Sequence, residues 1–336
     1  MKQKKMDTGL LYGRMIALLL LSVTGWYETA TAQAAAIPFN KIEITTTRLT
    51  HSFYTLTGSP HTDPGHPEAA GGRIGVLAGN DGVFLVDCSY APLTDKIIAA
   101  VKKITSTPVR FLVNTHEHPD HTGGNPYFAR LGTIIIGRQE VRDALKKPIP
   151  PAIAAAIGNA ALNGDSACLP MLTFDGRSVV KMYFDGETID LIPLQSAHTN
   201  GDVMVMFEQQ NVIMIGDIYR NYGYPFVDPS HGGTYNGLVA AIDTLLKIAG
   251  PDTRLVPGHG TIINRWAIIP YRDMILDVRN KVQAMVLAHK TKQQVLAAKL
   301  TAPYDASVPG GTEPLPLNSG TSADRFVGNL YDELMQ

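Results

Sequence analysis

Ten consecutive residues constrain this chain more than any other feature. Thr115-His116-Glu117-His118-Pro119-Asp120-His121-Thr122-Gly123-Gly124 sets three imidazoles and a carboxylate at H-x-H-x-D-H spacing, with two glycines directly behind. Histidine nitrogens and aspartate oxygens suit zinc and similar borderline divalent metals. His116 and His118 alternate, so an extended segment points both the same way. Asp120 and His121 follow a proline, where the chain is turning. One short loop can therefore serve two metal centres, and any fold of this chain must bring further donors to it.

The chain has 336 residues, enough for one large domain or two small ones. Its net charge is −1 and basic residues form no run beyond the first few positions, which argues against nucleic acid as the main partner. Lys2, Lys4, Lys5 and Arg14 precede an apolar run over residues 15–23, and Ala32-Gln33-Ala34 offers small residues around a cleavage point. That is the layout of a secretory signal peptide over residues 1–34. It predicts a mature chain in a bacterial periplasm or outside the cell, with no stable membrane association after cleavage. The run is short for a bilayer span, although an uncleaved anchor is the alternative it leaves open. Residues 35–336 are expected to form a single domain with a helical extension from about residue 265. Only Cys88 and Cys168 are present, and two separate buried thiols are expected rather than a bridge.

Strand patterns occupy residues 41–57, 74–78, 83–86, 109–114 and 133–137, and again 178–184, 188–193, 203–208, 211–215 and 254–257. Gly79-Asn80-Asp81-Gly82 reads as a hairpin turn. Helical spacing appears at 91–104, 139–145, 235–248, 271–289, 292–298 and 323–334, and a short helix capped by Asn125 with Pro126 in its first turn ends near Gly132. Residues 58–72 form a long polar loop of the kind that often serves as a lid. Residues 148–170 are an irregular, alanine-rich insertion. Strands then helix, repeated, predict an α/β fold of two β/α units packing their sheets face to face with helices outside.

More donors stand at strand ends beside glycine: His198 in Ser196-Ala197-His198-Thr199-Asn200-Gly201-Asp202, Asp217 in Ile215-Gly216-Asp217, and His259 in Pro257-Gly258-His259-Gly260. With THEHPDHTGG, these motifs in this order resemble the metallo-β-lactamase-fold hydrolase superfamily over about residues 41–265. The resemblance implies a four-layer αβ/βα sandwich with carboxy-terminal helices. It implies His116, His118 and His198 as ligands of a first metal, Asp120, His121 and His259 as those of a second, and Asp217 as a bridging carboxylate. An aspartate at 217 fits the glyoxalase II and lactonase branches better than the best-known β-lactamases. Asp87 matches a position where the superfamily often has an aspartate that orients a ligand imidazole.

The expected cofactor is two Zn2+ per chain, with iron or manganese as alternatives. Two such ions with open coordination lower the pKa of shared water toward ~7 and make a nucleophile at neutral pH. Asp120 and Asp217 are the expected catalytic carboxylates. The expected activity is that of a secreted hydrolase acting on a small molecule and opening a β-lactam or similar cyclic amide. A lactone, ester or thioester hydrolase is the alternative, and an iron-dependent oxidoreductase like the persulfide dioxygenases a further one. Tyr219, Arg220, Asn221 and Tyr224 are candidate substrate contacts. His61 and His66 are expected to be isolated loop histidines; His51, His231 and His289 have no supporting context. The oligomeric state is left open.

Overall fold

Runs of β-branched and aromatic residues pair into two sheets in the computed structural model, which describes residues 37–158, 165–315 and 320–336. The leader expected over residues 1–34 lies outside the described residues. Seven strands form the first sheet in chain order: β1 (Ile44–Arg48), β2 (Phe53–Gly58), β3 (Ile74–Ala78), β4 (Val83–Val86), β5 (Val109–Val113), β6 (Ile134–Arg138) and β7 (Leu172–Phe174). Pairing is antiparallel from β1 to β4 and parallel from β4 to β7. The second sheet holds β8 (Val180–Phe184), β9 (Glu187–Pro193), β10 (Val203–Phe207), β11 (Val212–Gly216) and β12 (Arg254–Pro257), ordered β12-β11-β10-β9-β8. There only β11 and β12 run parallel.

Alternating side chains give each sheet two apolar faces. Phe53, Phe84, Val86 and Val113 of the first sheet meet Leu191, Val205, Phe207 and Met214 of the second in a central core. On the outer face of the first sheet, Leu85, Leu112 and Ile135 pack against Ile97 and Val101 of α1 (Thr94–Ile104). The outer face of the second sheet is covered by α6 (Tyr235–Ile248), α7 (Arg265–Leu287) and α9 (Ser322–Leu334), through Leu238, Ile242, Ile275, Val278 and Phe326. The smaller helices are α2 (Pro119–Thr122), α3 (Asn125–Arg130), α4 (Gln139–Leu145), α5 (Pro151–Ala156) and α8 (Lys292–Ala297). This is the four-layer αβ/βα sandwich. Burying each large aliphatic side chain between layers contributes roughly 1.5–3 kcal/mol, so the layers cannot separate cheaply. Among the described residues no helix is long and apolar enough to cross a membrane.

Three local expectations change. The strand expected over residues 41–57 is a hairpin, β1–β2, that reverses without glycine or proline. Its turn is closed by Leu49 and Thr50 amides donating to the Phe53 carbonyl and by the Phe53 amide donating to Thr50 Oγ1. Asn125 does not cap α3. It is the first helical residue, and its carboxamide exchanges hydrogen bonds with Asn114 (2.8 and 3.0 Å) and donates to the Cys168 carbonyl (2.9 Å). The helix expected from residue 271 begins at Arg265 and runs through Pro270, its start fixed by Asn264 accepting from the Trp266 amide. The insertion supplies α5 and is followed directly by the edge strand β7, neither foreseen; residues 159–164 within it lie outside the described residues.

Candidate metal centre

Every expected donor sits at the carboxyl end of a strand or just past it, and the parallel pairs β4–β5 and β11–β12 put those ends on one side. The loop after β5 carries His116 to His121, the loop after β9 His198, and the ends of β11 and β12 Asp217 and His259. Pro119 opens the single turn α2, in which the His121 and Thr122 amides donate to the His118 carbonyl. That turn swings Asp120 and His121 away from the His116–His118 direction. Gly258 lets this crowding happen: a Cβ there would stand 2.2 Å from Asp217 Oδ1 and 2.7 Å from His121 Cε1.

His116, His118 and His198 offer donor atoms within 4.8 Å of one another; so do Asp120, His121 and His259, and so do His116, His121 and Asp217. His198 Nε2 is 3.1 Å from His118 Nδ1, and His259 Nε2 is 2.9 Å from Asp120 Oδ2. Asp217 reaches both groups, with Oδ1 3.4 Å from His121 Nε2 and Oδ2 3.5 Å from His259 Nε2 and 3.8 Å from His198 Nε2. His116 Nε2, His121 Nε2 and Asp217 Oδ1 are buried and make no hydrogen bond. An unsatisfied buried polar atom costs roughly 1–3 kcal/mol. Three of them converging between imidazoles and carboxylates is the arrangement that divalent cations would satisfy, so the residues fit the expected metals.

The outer nitrogens are held as metal-ligating imidazoles usually are. Asp87 Oδ2 lies 2.8 Å from His121 Nδ1, while the same carboxylate accepts from the Thr115 amide and hydroxyl, both at 2.7 Å. Asp87 sits in left-handed backbone (φ +62°), which turns its carboxylate under the loop. Asp228 Oδ2 lies 2.9 Å from His118 Nε2, leaving Nδ1 for the centre, and His198 Nδ1 faces the Phe226 carbonyl at 3.0 Å.

Burial lowers His116 well below the ordinary imidazole range and takes His198 down to about 4. Burial also opposes charge on His121, but Asp217, Asp120 and Asp87 outweigh it and push its pKa well up. Desolvation works against ionising Asp120 and Asp217, yet the neighbouring imidazoles hold both well below the usual carboxylate range. The two carboxylates are thus ionised and His116 and His198 neutral, the state in which those groups can donate to a metal.

The four candidate substrate contacts divide. Tyr219 and Arg220 line a small cleft with His198, Asp217, Phe226 and His259. Asn221 instead bonds Thr261 Oγ1 (3.0 Å) and steadies the turn after His259. Tyr224 is a correction: it is fully buried, stacked on Phe326, its hydroxyl donating to the Thr301 carbonyl, because the carboxy-terminal helices cover it.

His66 is a second correction. Its ring stacks on His259 (3.6 Å, 6°) and its Nε2 lies 3.3 Å from Asp120 Oδ2, so the loop over residues 58–72 reaches the centre. His231 likewise has a context, 2.7 Å from Asp228 Oδ2. Both stand in an Asp-Pro-x-His turn, Asp63-Pro64-Gly65-His66 and Asp228-Pro229-Ser230-His231, where the aspartate accepts the amide two residues on (2.9 Å in each). That repeat was the signal available in the sequence. Cys88 is buried, as expected, whereas Cys168 is only half-buried.

A sandwich whose strand ends gather imidazoles and carboxylates into adjoining donor groups has the architecture of a metal-dependent hydrolase. A family model described as the metallo-beta-lactamase superfamily matches residues 69–259, more than half of the chain, and the chain belongs to that superfamily. It is 23% identical over 223 residues to the metallo-beta-lactamase type 2 of Bacillus cereus, covering 64% of this chain and 78% of that one. It is 26% identical over 206 residues to a hydroxyacylglutathione hydrolase of Nitrosococcus oceani, covering 60% and 66%. Among solved structures, metallo-beta-lactamases from Pontibacter korlensis (18% identity) and Hirschia baltica (16%) each superpose with a TM-score of 0.53. Each alignment spans 68% of this chain and 96% of the other, and these likenesses show the fold.

Proposed function

We propose that the chain is an exported dinuclear zinc hydrolase that opens a β-lactam or similar cyclic amide. The observation that carries the dinuclear reading is the pair of donor groups joined by Asp217, with three buried donor atoms left unsatisfied between them. His116, His118 and His198 would hold one ion; Asp120, His121 and His259 the other; Asp217 would touch both. Bound ions of this kind polarise a carbonyl and ionise a water at neutral pH. Asp120, held ionised, orients and accepts protons beside His259. Arg220 offers its guanidinium in the cleft, where a substrate carboxylate could pair with it in bidentate fashion. The B. cereus relative and the leader pattern over residues 1–34 support this substrate and its place outside the cytoplasm.

A second reading, hydrolysis of an ester, lactone or thioester, is favoured by the aspartate at 217 and by the hydroxyacylglutathione hydrolase relatives. The experiment is to assay zinc-loaded protein against nitrocefin, a lactone panel and an acyl thioester. Turnover of nitrocefin alone supports the first reading and turnover confined to the other panels the second. A single iron per chain with oxygen consumption would overturn both.

A further inference from the structure

Residues 148–153 and Cys168, from the stretch that is irregular in sequence, wall a cavity of about 300 Å³. Pro119, Ala144, Leu145, Pro148, Pro150 and Ile153 make its lining mainly apolar, with Glu117, Thr122 and Lys147 as polar members. That volume is at the lower end of small-molecule sites, roughly 300–1,000 Å³. One side of the cavity is the metal loop itself, through His118, and His231 stands beside it on the same carboxylate, Asp228. Arg220 lies in the separate cleft bounded by His198, Asp217 and His259. The donor groups therefore stand between an apolar cavity and a guanidinium. Ile153 is 52% exposed although it lines the cavity, so its side chain is left without the packing that a core isoleucine has.

We infer that this cavity is the subsite for an apolar acyl group of the substrate, seated on the His118 side of the donor groups while the scissile carbonyl lies at them. The inference rests on the hydrolase reading and narrows its substrate class: compounds whose carbonyl carries a compact alkyl or aryl group are selected over those carrying a small or polar one. Residues 144–153, which supply its apolar wall opposite the metal loop, form no part of the donor groups. Selection of the acyl group is thereby built separately from the chemistry. Each methylene taken from water into such a lining contributes up to about 0.8 kcal/mol, or about fourfold in affinity.

The test uses straight-chain carboxylates, from acetate to decanoate, as product mimics. Their dissociation constants are measured calorimetrically on zinc-loaded protein, on Ile153→Asn and on Leu287→Asn, an exposed position on α7 that does not line the cavity. Affinity should rise by up to about fourfold per methylene until the chain outgrows the cavity. Ile153→Asn should flatten that rise while leaving acetate binding unchanged, and Leu287→Asn should follow the parent. A flat series in the parent protein, or an equal slope in Ile153→Asn, overturns the inference. Because the readout is binding, it stands apart from the hydrolase reading, which fails instead through absence of turnover across the substrate panels.

Discussion

The donor-bearing loops and the walls around them are built on opposite principles. The loops are short, glycine-backed and locked at strand ends: the Cys88 amide donates to the His121 carbonyl (2.8 Å), the Gly72 amide to Asp120 (2.9 Å) and Arg73 to the Pro257 and Gly260 carbonyls. The walls, residues 58–72 and 148–158, are long, proline-rich and carry polar or exposed side chains. Geometry has to be exact to a fraction of an ångström where chemistry occurs, so it is placed on strands; selectivity tolerates loops. Substitutions in the two regions should therefore fail in different ways.

The largest effect belongs to the donor side. Asp120→Ala should abolish turnover while circular dichroism and the gel-filtration profile stay those of the parent, since the residue packs no core. Retained turnover would break the donor assignment. Next is Asp87→Ala, which touches no substrate but leaves His121 Nδ1 and the Thr115 amide without their acceptor. Losing such a partner typically weakens metal binding about 10–100-fold, readable by competition with a chromophoric chelator. In the cleft beside the donors, Arg220→Ala should raise KM for a carboxylate-bearing substrate by about tenfold or more and leave kcat within a small factor, the loss expected for a charged hydrogen bond. A fall in kcat alone would move Arg220 from substrate binding to the chemistry.

The smallest effect is on stability. Burial raises Asp202, beside His198 in the chain and hydrogen-bonded by Thr199, to about 7. Its unfolded pKa is about 3.9, so between those values the folded protein binds more protons than the unfolded one. Its contribution therefore falls as pH rises from about 4 to 7. Melting of metal-free protein should lose more between pH 5 and pH 8 in the parent than in Asp202→Asn.

The same contrast explains what could be read in advance. The donors were legible because H-x-H-x-D-H and the Gly-flanked His198, Asp217 and His259 are local patterns whose chemistry needs those residue types at that spacing. The two sheets were legible from alternation. The hairpin at residues 49–52 was not, because side-chain and backbone bonds, rather than glycine or proline, close it. His66 and Tyr224 were misplaced for one reason: each depends on a partner far away in sequence, His259 and Asp120 for the first, Phe326 for the second. The cavity wall was illegible because no periodicity marks a segment that packs only along its edge.

Zinc titration of metal-stripped protein, followed by calorimetry and elemental analysis, tests the central claim most directly. Two equivalents per chain are expected, and Asp217→Ala should weaken both, since that carboxylate faces both donor groups. A single equivalent, or two that Asp217→Ala leaves untouched, would contradict a centre built on seven donors and one shared aspartate.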